Sequence, residues 1–260
     1  MIDIHCHLLP SVDDGAVDMD ETIKMAKIAV SEGIHTIIVT PHYIEYGDYL
    51  NKEELKPVLN DVNQRLKDEQ IELTLALGQE VYSTPNLISL LQRDEITTLN
   101  DSRYLLLEFP MNEIPTYAED LIYELKILGI TPIIAHPERY PMIMDNPNRL
   151  IEFIELGALC QSNVGSINGA FGERVKETVW TLIKHQMIHF VATDAHTSRR
   201  RGPVMKDAFQ AVRAYDTELA QKLFFDHPSK VYLDAEIKIT EPLTVEKKSF
   251  FDRLFKRKKS

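Results

Sequence analysis

The sequence predicts an α/β protein built as a (β/α)7-type barrel, and three observations carry that prediction. Short apolar, β-branched runs alternate with longer stretches of helical periodicity, six or seven times along the chain. No Pro-, Gly- or Ser-rich linker and no internal repeat divides the 260 residues, so most of the chain reads as one large domain. The runs end, one after another, in His, Asp or Glu. Strand followed by helix, repeated, implies right-handed crossovers and a parallel sheet. Closed on itself, such a sheet is a barrel.

The elements follow in order. Ile2–His5 is the first strand. Asp18 caps a helix over Met19–Glu32, where Met25, Ile28 and Ala29 recur at helical spacing. Strands are expected over Ile34–Thr40, Leu73–Leu77, Tyr104–Glu108, Thr131–Ala135, Leu159–Ser162 and Ile188–Thr193. Helices are expected over Lys52–Glu69, Tyr117–Leu128, Asn148–Leu156, Glu173–His185 and Pro203–Phe224. Gly33, Gly129 and Gly157 stand where helices should stop. The domain is placed at residues 1–240, with a basic tail over 241–260.

Composition excludes several classes. No apolar stretch reaches the ~20 residues of a membrane span. The N-terminus shows no basic, apolar leader pattern, and the two cysteines, Cys6 and Cys160, make no disulfide framework. Both features point to a reducing cytoplasm. The net charge of −11 argues against nucleic acid as a partner. Seven of the Lys/Arg residues fall in 247–260 against one Asp, a local +6 that leaves −17 for the rest.

In a barrel of this kind the active site collects at the C-terminal ends of the strands. The first strand ends in His5-Cys6-His7 and the second in VTPH with His42. The third gives LALGQE with Glu80, and the next LLLEFP with Glu108. IIAHPER then brings His136 and Arg139, and HFVATDAH brings Asp194 and His196. Residues i and i+2 of a strand share a face, so His5 and His7 should point together, with Asp3 behind them to orient a ligand. Ile2 and Ile4 should then face the helices. Five imidazoles and four carboxylates (counting Asp14, in the loop after the first strand) exceed what one ion needs. They suit two or three ions bridged by a carboxylate, about 3.5–4 Å apart, an arrangement that clamps phosphate oxygens and lowers the pKa of a bound water. His35, His185, His189 and His227 fall at strand starts, on a helix and near a turn, and read as structural.

MIDIHCH, TPH, GQE, EFP, AHPER and TDAH, in that order, resemble the polymerase and histidinol phosphatase (PHP) superfamily. HCHLLPSVDDGA and HPER are similar to its bacterial protein-tyrosine phosphatases of capsular and exopolysaccharide synthesis. The resemblance implies a distorted barrel of the PHP kind holding three divalent ions, usually manganese, with iron, zinc or magnesium as alternatives. It implies one ion on His5, His7, Glu80 and Asp194. A second falls to Glu80, Glu108 and His136, and a third to Asp14, His42 and His196. It places phosphate-binding arginines at Arg139 and in the run Arg199-Arg200-Arg201, where spacing favours Arg201. It further implies direct attack of a metal-bound hydroxide on phosphotyrosine, carried by a membrane-associated bacterial tyrosine kinase or its targets.

A thiol phosphatase needs an arginine six positions after its cysteine. Val12 and Ser166 stand there after Cys6 and Cys160. A small-molecule phosphatase, such as one acting on histidinol phosphate, is the alternative on the same scaffold. An amidohydrolase-type deaminase should carry a ligating lysine at a strand end, and none is seen. A non-catalytic module should have lost ligands, and none is missing. In the tail, Phe250, Phe251, Leu254 and Phe255 would line one face of a helix, a pattern that suits either peripheral contact with an anionic membrane or a frayed end.

Overall fold

The computed structural model describes residues 1–246; the aromatic and basic tail segment lies outside the described residues. Among the described residues nine parallel strands are present: β1 (Ile2–Cys6), β2 (Thr36–Val39), β3 (His42–Tyr43), β4 (Thr74–Leu77), β5 (Glu80–Tyr82), β6 (Tyr104–Glu108), β7 (Thr131–Ala135), β8 (Leu159–Asn163) and β9 (Phe190–Ala192). Sequence reading expected seven. The two additional strands, β3 and β5, resume pairing beyond the ends expected at Thr40 and Leu77. Thr40 and Pro41 separate β2 from β3, and Gly78 and Gln79 separate β4 from β5. Gly78 is needed at its break, since a Cβ there would lie 2.7 Å from the Leu99 side chain.

The strands pair as β1-β2-β4 and as β3-β5-β6-β7-β8-β9. The interrupted strands join the two sheets. Asp194 N–H donates to His5 O and His7 N–H to Ala195 O, each at 2.8 Å, which returns the end of β9 to β1. Seven strand positions thus form a ring. Inside it pack Ile4, Ile38, Leu106, Ile133, Leu159 and Phe190, one from each of six strands. The opposite faces pack on the helices through Ile37, Leu105, Leu107, Ile134 and Val191.

The helices are α1 (Met19–Ser31), α2 (Lys52–Asp68), α3 (Leu87–Gln92), α4 (Ala118–Ile127), α5 (Pro141–Asp145), α6 (Arg149–Glu155), α7 (Val164–Asn168), α8 (Glu173–Lys184), α9 (Lys206–Tyr215), α10 (Thr217–Gln221) and α11 (His227–Tyr232). Asp18 caps α1 by accepting the Glu21 N–H, as expected. Gly33 follows at φ 78°, where a side chain would be strained. The single helix expected over Pro203–Phe224 is instead broken. Asp216 leaves the helical region at φ −154° and its carboxylate caps Leu219 N–H of α10. Among the described residues no helix is long and apolar enough to cross a membrane. Residues 241–246 lie on the body. Leu243 N–H donates to His185 O, and Val245 exchanges hydrogen bonds with the Asn148 side chain.

One expectation about β1 is corrected. Ile2 and Ile4 point into the barrel, not toward the helices. The register with β2 shifts between Asp3 and Cys6, so strict alternation breaks before the strand ends. Asp3 accordingly does not sit behind the His5 ring. Its carboxylate accepts the Thr193 N–H and hydroxyl and the His5 N–H, fastening β1 to the end of β9.

His189, at the foot of β9, is structural as expected. Its Nδ1 accepts the Cys160 N–H, which requires the neutral ring. Burial, with the nearby His227, lowers its pKa from 6.5 to about 3. The unfolded chain therefore takes up a proton that the fold refuses, and this stability is lost as pH falls below 6.5. Between pH 7.5 and 5 the protein should lose ~2 kcal/mol more unfolding free energy than its His189→Gln variant. Denaturant titrations at both pH values check this; equal losses would contradict it.

Candidate metal centre

Every side chain singled out at a strand end arrives at one mouth of the barrel. β1 delivers His5 and, just beyond it, His7. β3 delivers His42, β5 Glu80 and β6 Glu108. His136 follows β7 and Asp194 follows β9, both in left-handed backbone at φ 35° and 52°. For non-glycine residues that conformation costs of order 1–3 kcal/mol and is held where function needs it. Here it turns the side chains across the barrel end.

Glu80 is the hub. Its Oε2 stands 3.2 Å from His5 Nε2, 3.3 Å from His7 Nε2 and 3.1 Å from His42 Nδ1. Its Oε1 stands 3.1 Å from His136 Nε2, which is 3.5 Å from Glu108 Oε1. Asp194 Oδ1 lies 3.5 Å from His5 Nε2 and 3.6 Å from His7 Nε2. Asp14 Oδ1 faces His42 Nε2 at 3.4 Å and His196 Nε2 at 3.3 Å. The ligand atoms of three groups converge within 4.8 Å: His5, His7 and Glu80; His42, Glu80 and Glu108; and His7, Asp14, His42 and His196.

The donor set fits cations on chemical grounds. His5 Nδ1 is 2.8 Å from Gln161 Oε1, an acceptor, so the ring donates there and Nε2 keeps its lone pair. His7 Nδ1 is 2.7 Å from Asp13 Oδ2, which fixes the same tautomer. The two Nε2 atoms then face each other at 3.2 Å with Glu80 between them. Lone pairs so arranged repel unless a positive charge lies among them. Glu80 Oε2 and His42 Nδ1 are both buried and have no hydrogen-bond partner among the described residues.

Electrostatics agrees. Burial, with the Glu80 charge, pushes Glu108 up to about 8. Burial also opposes ionisation of Asp194, but the His5 and Arg201 charges outweigh it and hold the carboxyl at about 2. Burial disfavours the His7 cation, yet Asp13 and Glu80 raise it well above its ordinary range. The field that would draw a proton onto His7 in an empty site is one a divalent ion satisfies in its place, leaving the Nε2 lone pair to the ion.

Four residues here, Asp13, Gln161, Asn163 and Glu138, have no role in the sequence reading. Asp13 orients His7 and accepts the His42 N–H. Gln161 holds His5, and its amide donates to Asn163 Oδ1. Asn163 Nδ2 donates to Asp194 Oδ2 at 2.6 Å. Fully buried Glu138 accepts from Ser162, Ser166 and the Asn163 N–H, locking β8 beneath them. In sequence, the signal is the polar run Gln161-Ser162-Asn163 within a buried strand.

Both expected arginines reach the site. Arg139 Nη1 lies 3.3 Å from Asp194 Oδ2, with its guanidinium 4.9 Å from the centre of the Phe171 ring. Arg201 Nη2 lies 2.8 Å from the same oxygen. Arg199 and Arg200 are exposed. Cys6 is buried behind the ligands, and burial pushes its thiol well above the normal range, which makes it a packing residue.

Replacing Gln161 by Met, which keeps its size but not its acceptor, should weaken metal binding about 10- to 100-fold. Chelator competition measures this directly. Unchanged affinity would contradict the role given to Gln161.

Known proteins resemble this chain along most of its length. A tyrosine-protein phosphatase from Bacillus subtilis, YwqE, is 40% identical over 225 residues, covering 86% of this chain and 88% of that protein. The tyrosine-protein phosphatase CpsB of Streptococcus pneumoniae is 32% identical over 240 residues, covering 90% and 99%. A solved structure described among the metal-dependent tyrosine phosphatases YwqE and CpsB superposes with a TM-score of 0.92 at 37% identity, over 95% of this chain and 100% of that one. An organophosphorus hydrolase variant shares the fold alone, with a TM-score of 0.55 at 10% identity. The model of the capsular polysaccharide synthesis family CpsB/CapC matches residues 1–233, and the chain belongs to that family.

Proposed function

We propose that this chain is a metal-dependent protein-tyrosine phosphatase, acting on phosphotyrosine of a bacterial tyrosine kinase or its targets in capsule synthesis. The observation that carries the reading is the meeting of two guanidiniums on one Asp194 oxygen at the edge of the imidazole and carboxylate cluster. A phosphate monoester dianion asks for that combination, cations on one side and planar paired donors on the other. The tyrosine specificity rests on the relatives, which are named tyrosine-protein phosphatases. Residues 1–240 are proposed as the catalytic unit, working in the cytoplasm beside a membrane-associated kinase.

Nine side chains would hold three divalent ions, with manganese the first choice. His5, His7 and Asp194 would serve one ion and Glu108 and His136 a second, with Glu80 available to both; Asp14, His42 and His196 would serve the third. When bound, such ions neutralise phosphate oxygens and supply hydroxide near neutral pH.

The chain's own residues do the rest. Arg139 and Arg201 turn from Asp194 to the equatorial phosphate oxygens and stabilise the charge that shifts onto them. Asp13 and Gln161 keep the His7 and His5 tautomers fixed throughout. The leaving phenolate has a conjugate acid near pKa 10, a fair leaving group that needs no strong acid at its side. Neither buried cysteine acts as a nucleophile.

Metal-stripped protein should release no phosphate, and manganese should restore turnover on a phosphotyrosine peptide in preference to a phosphoserine peptide and histidinol phosphate. Arg201→Ala should then lower kcat/KM by about 10²- to 10³-fold while metal content stays unchanged. Preference for histidinol phosphate, or an Arg201 variant as active as the parent, would overturn the reading.

A further inference from the structure

The loop after β9 carries two more arginines than the phosphate requires. His196 N–H and Thr197 N–H both donate to Arg201 O, at 2.9 and 3.2 Å. Arg199 N–H donates to Thr197 Oγ1 at 3.1 Å, and Ser198 N–H to Glu21 Oε1 of α1 at 2.7 Å. Six residues are thereby folded back on themselves and tied to a helix. Little backbone freedom is left to lose when something binds there.

The loop's two ends face inward. His196 is one of the clustered imidazoles, and Arg201 stands on Asp194. Its middle faces outward. Arg199 and Arg200 are exposed, and among the described residues neither guanidinium pairs with a carboxylate. Consecutive Cα atoms are 3.8 Å apart, so both charges sit within about two residues' reach of the arginine that would hold the phosphate. They belong to a chain of net charge −11, whose general field repels acidic ligands. A local positive pair at the mouth reverses that sign where a substrate's flanking residues would pass.

We propose that Arg199 and Arg200 form a docking element for acidic peptide, recognising Asp or Glu beside the phosphotyrosine and so setting which phosphotyrosines are chosen. The inference rests on the phosphatase reading. An anionic membrane has the same charge, but the pair shares its loop with the phosphate-facing Arg201, which places it along the path of a peptide entering the site. Guanidiniums on a preset loop read carboxylates by paired donation, and exposed pairs of this kind act mainly on encounter and KM.

The test uses the full-length manganese-loaded protein and three substrates: p-nitrophenyl phosphate, a phosphotyrosine peptide with Asp and Glu flanks, and the same peptide with Asn and Gln flanks. The native protein should favour the acidic peptide about fivefold, through KM, at low salt, the size two exposed ion pairs carry. The preference should shrink at high salt. An Arg199→Gln, Arg200→Gln variant should lose it while hydrolysing p-nitrophenyl phosphate as before. No preference in the native protein, or one that survives both substitutions, would overturn the proposal. Sedimentation with phosphatidylglycerol vesicles distinguishes the other source of negative charge. Vesicle binding lost in the variant, with peptide preference intact, would assign the pair to a lipid surface and overturn the proposal. Failure of the native protein on all three substrates would refute the phosphatase reading itself.

Discussion

Two imidazole nitrogens bearing lone pairs, His5 Nε2 and His7 Nε2, face each other across 3.2 Å with a buried carboxylate oxygen beside them. Most of the fold's upper end follows from keeping them there. Gln161 and Asp13 fix the two tautomers from behind. Asn163 aims Asp194 at the same point, and Glu138 anchors the strand that carries Gln161 and Asn163. An arrangement of buried donors this dense is unfavourable without positive charge at its centre. The barrel below provides the apolar packing that holds it, through residues such as Ile4, Ile133 and Phe190.

The bulge in β1 shows how the two demands are reconciled. A regular strand would send Asp3, His5 and His7 to one face and the intervening residues to the other. The register shift between Asp3 and Cys6 frees the strand from that rule. Ile2 and Ile4 can then fill the interior while His5, close above them, still reaches the mouth. Asp3, left on the outside, becomes the clasp between β1 and Thr193. The barrel closes at the point where its ligands are densest, because the same few residues supply both.

How much of this was legible in sequence depended on the kind of signal. Histidine and acid after an apolar strand are visible because such residues seldom follow one by chance, and all nine candidates came together. Tautomer-fixing residues are not visible in that way. Gln161 and Asn163 are neutral amides in a polar strand end, and only their partners reveal their purpose. Asp13 and Asp14 are adjacent carboxylates whose spacing gives no hint that one faces a ring and the other two imidazole nitrogens. Alternation misplaced Ile2 and Ile4 because a bulge leaves no mark in composition. The short strands β3 and β5 were not expected, because the runs were ended at Thr40 and Leu77 and the two or three residues that resume pairing beyond each break carry no apolar pattern of their own. Among the three arginines spacing from His196 favoured Arg201, and the loop that folds back at His196 is what brings that residue onto Asp194.

The chemistry proposed for this chain requires the barrel mouth to be a multi-ion site. Elemental analysis of protein equilibrated with manganese and then freed of excess metal tests this most directly. The arrangement of nine ligating side chains predicts close to three manganese ions per chain, falling when Glu80, the shared carboxylate, is replaced by Gln. A native protein that retains one ion or none, or one whose metal content ignores Glu80, would contradict it.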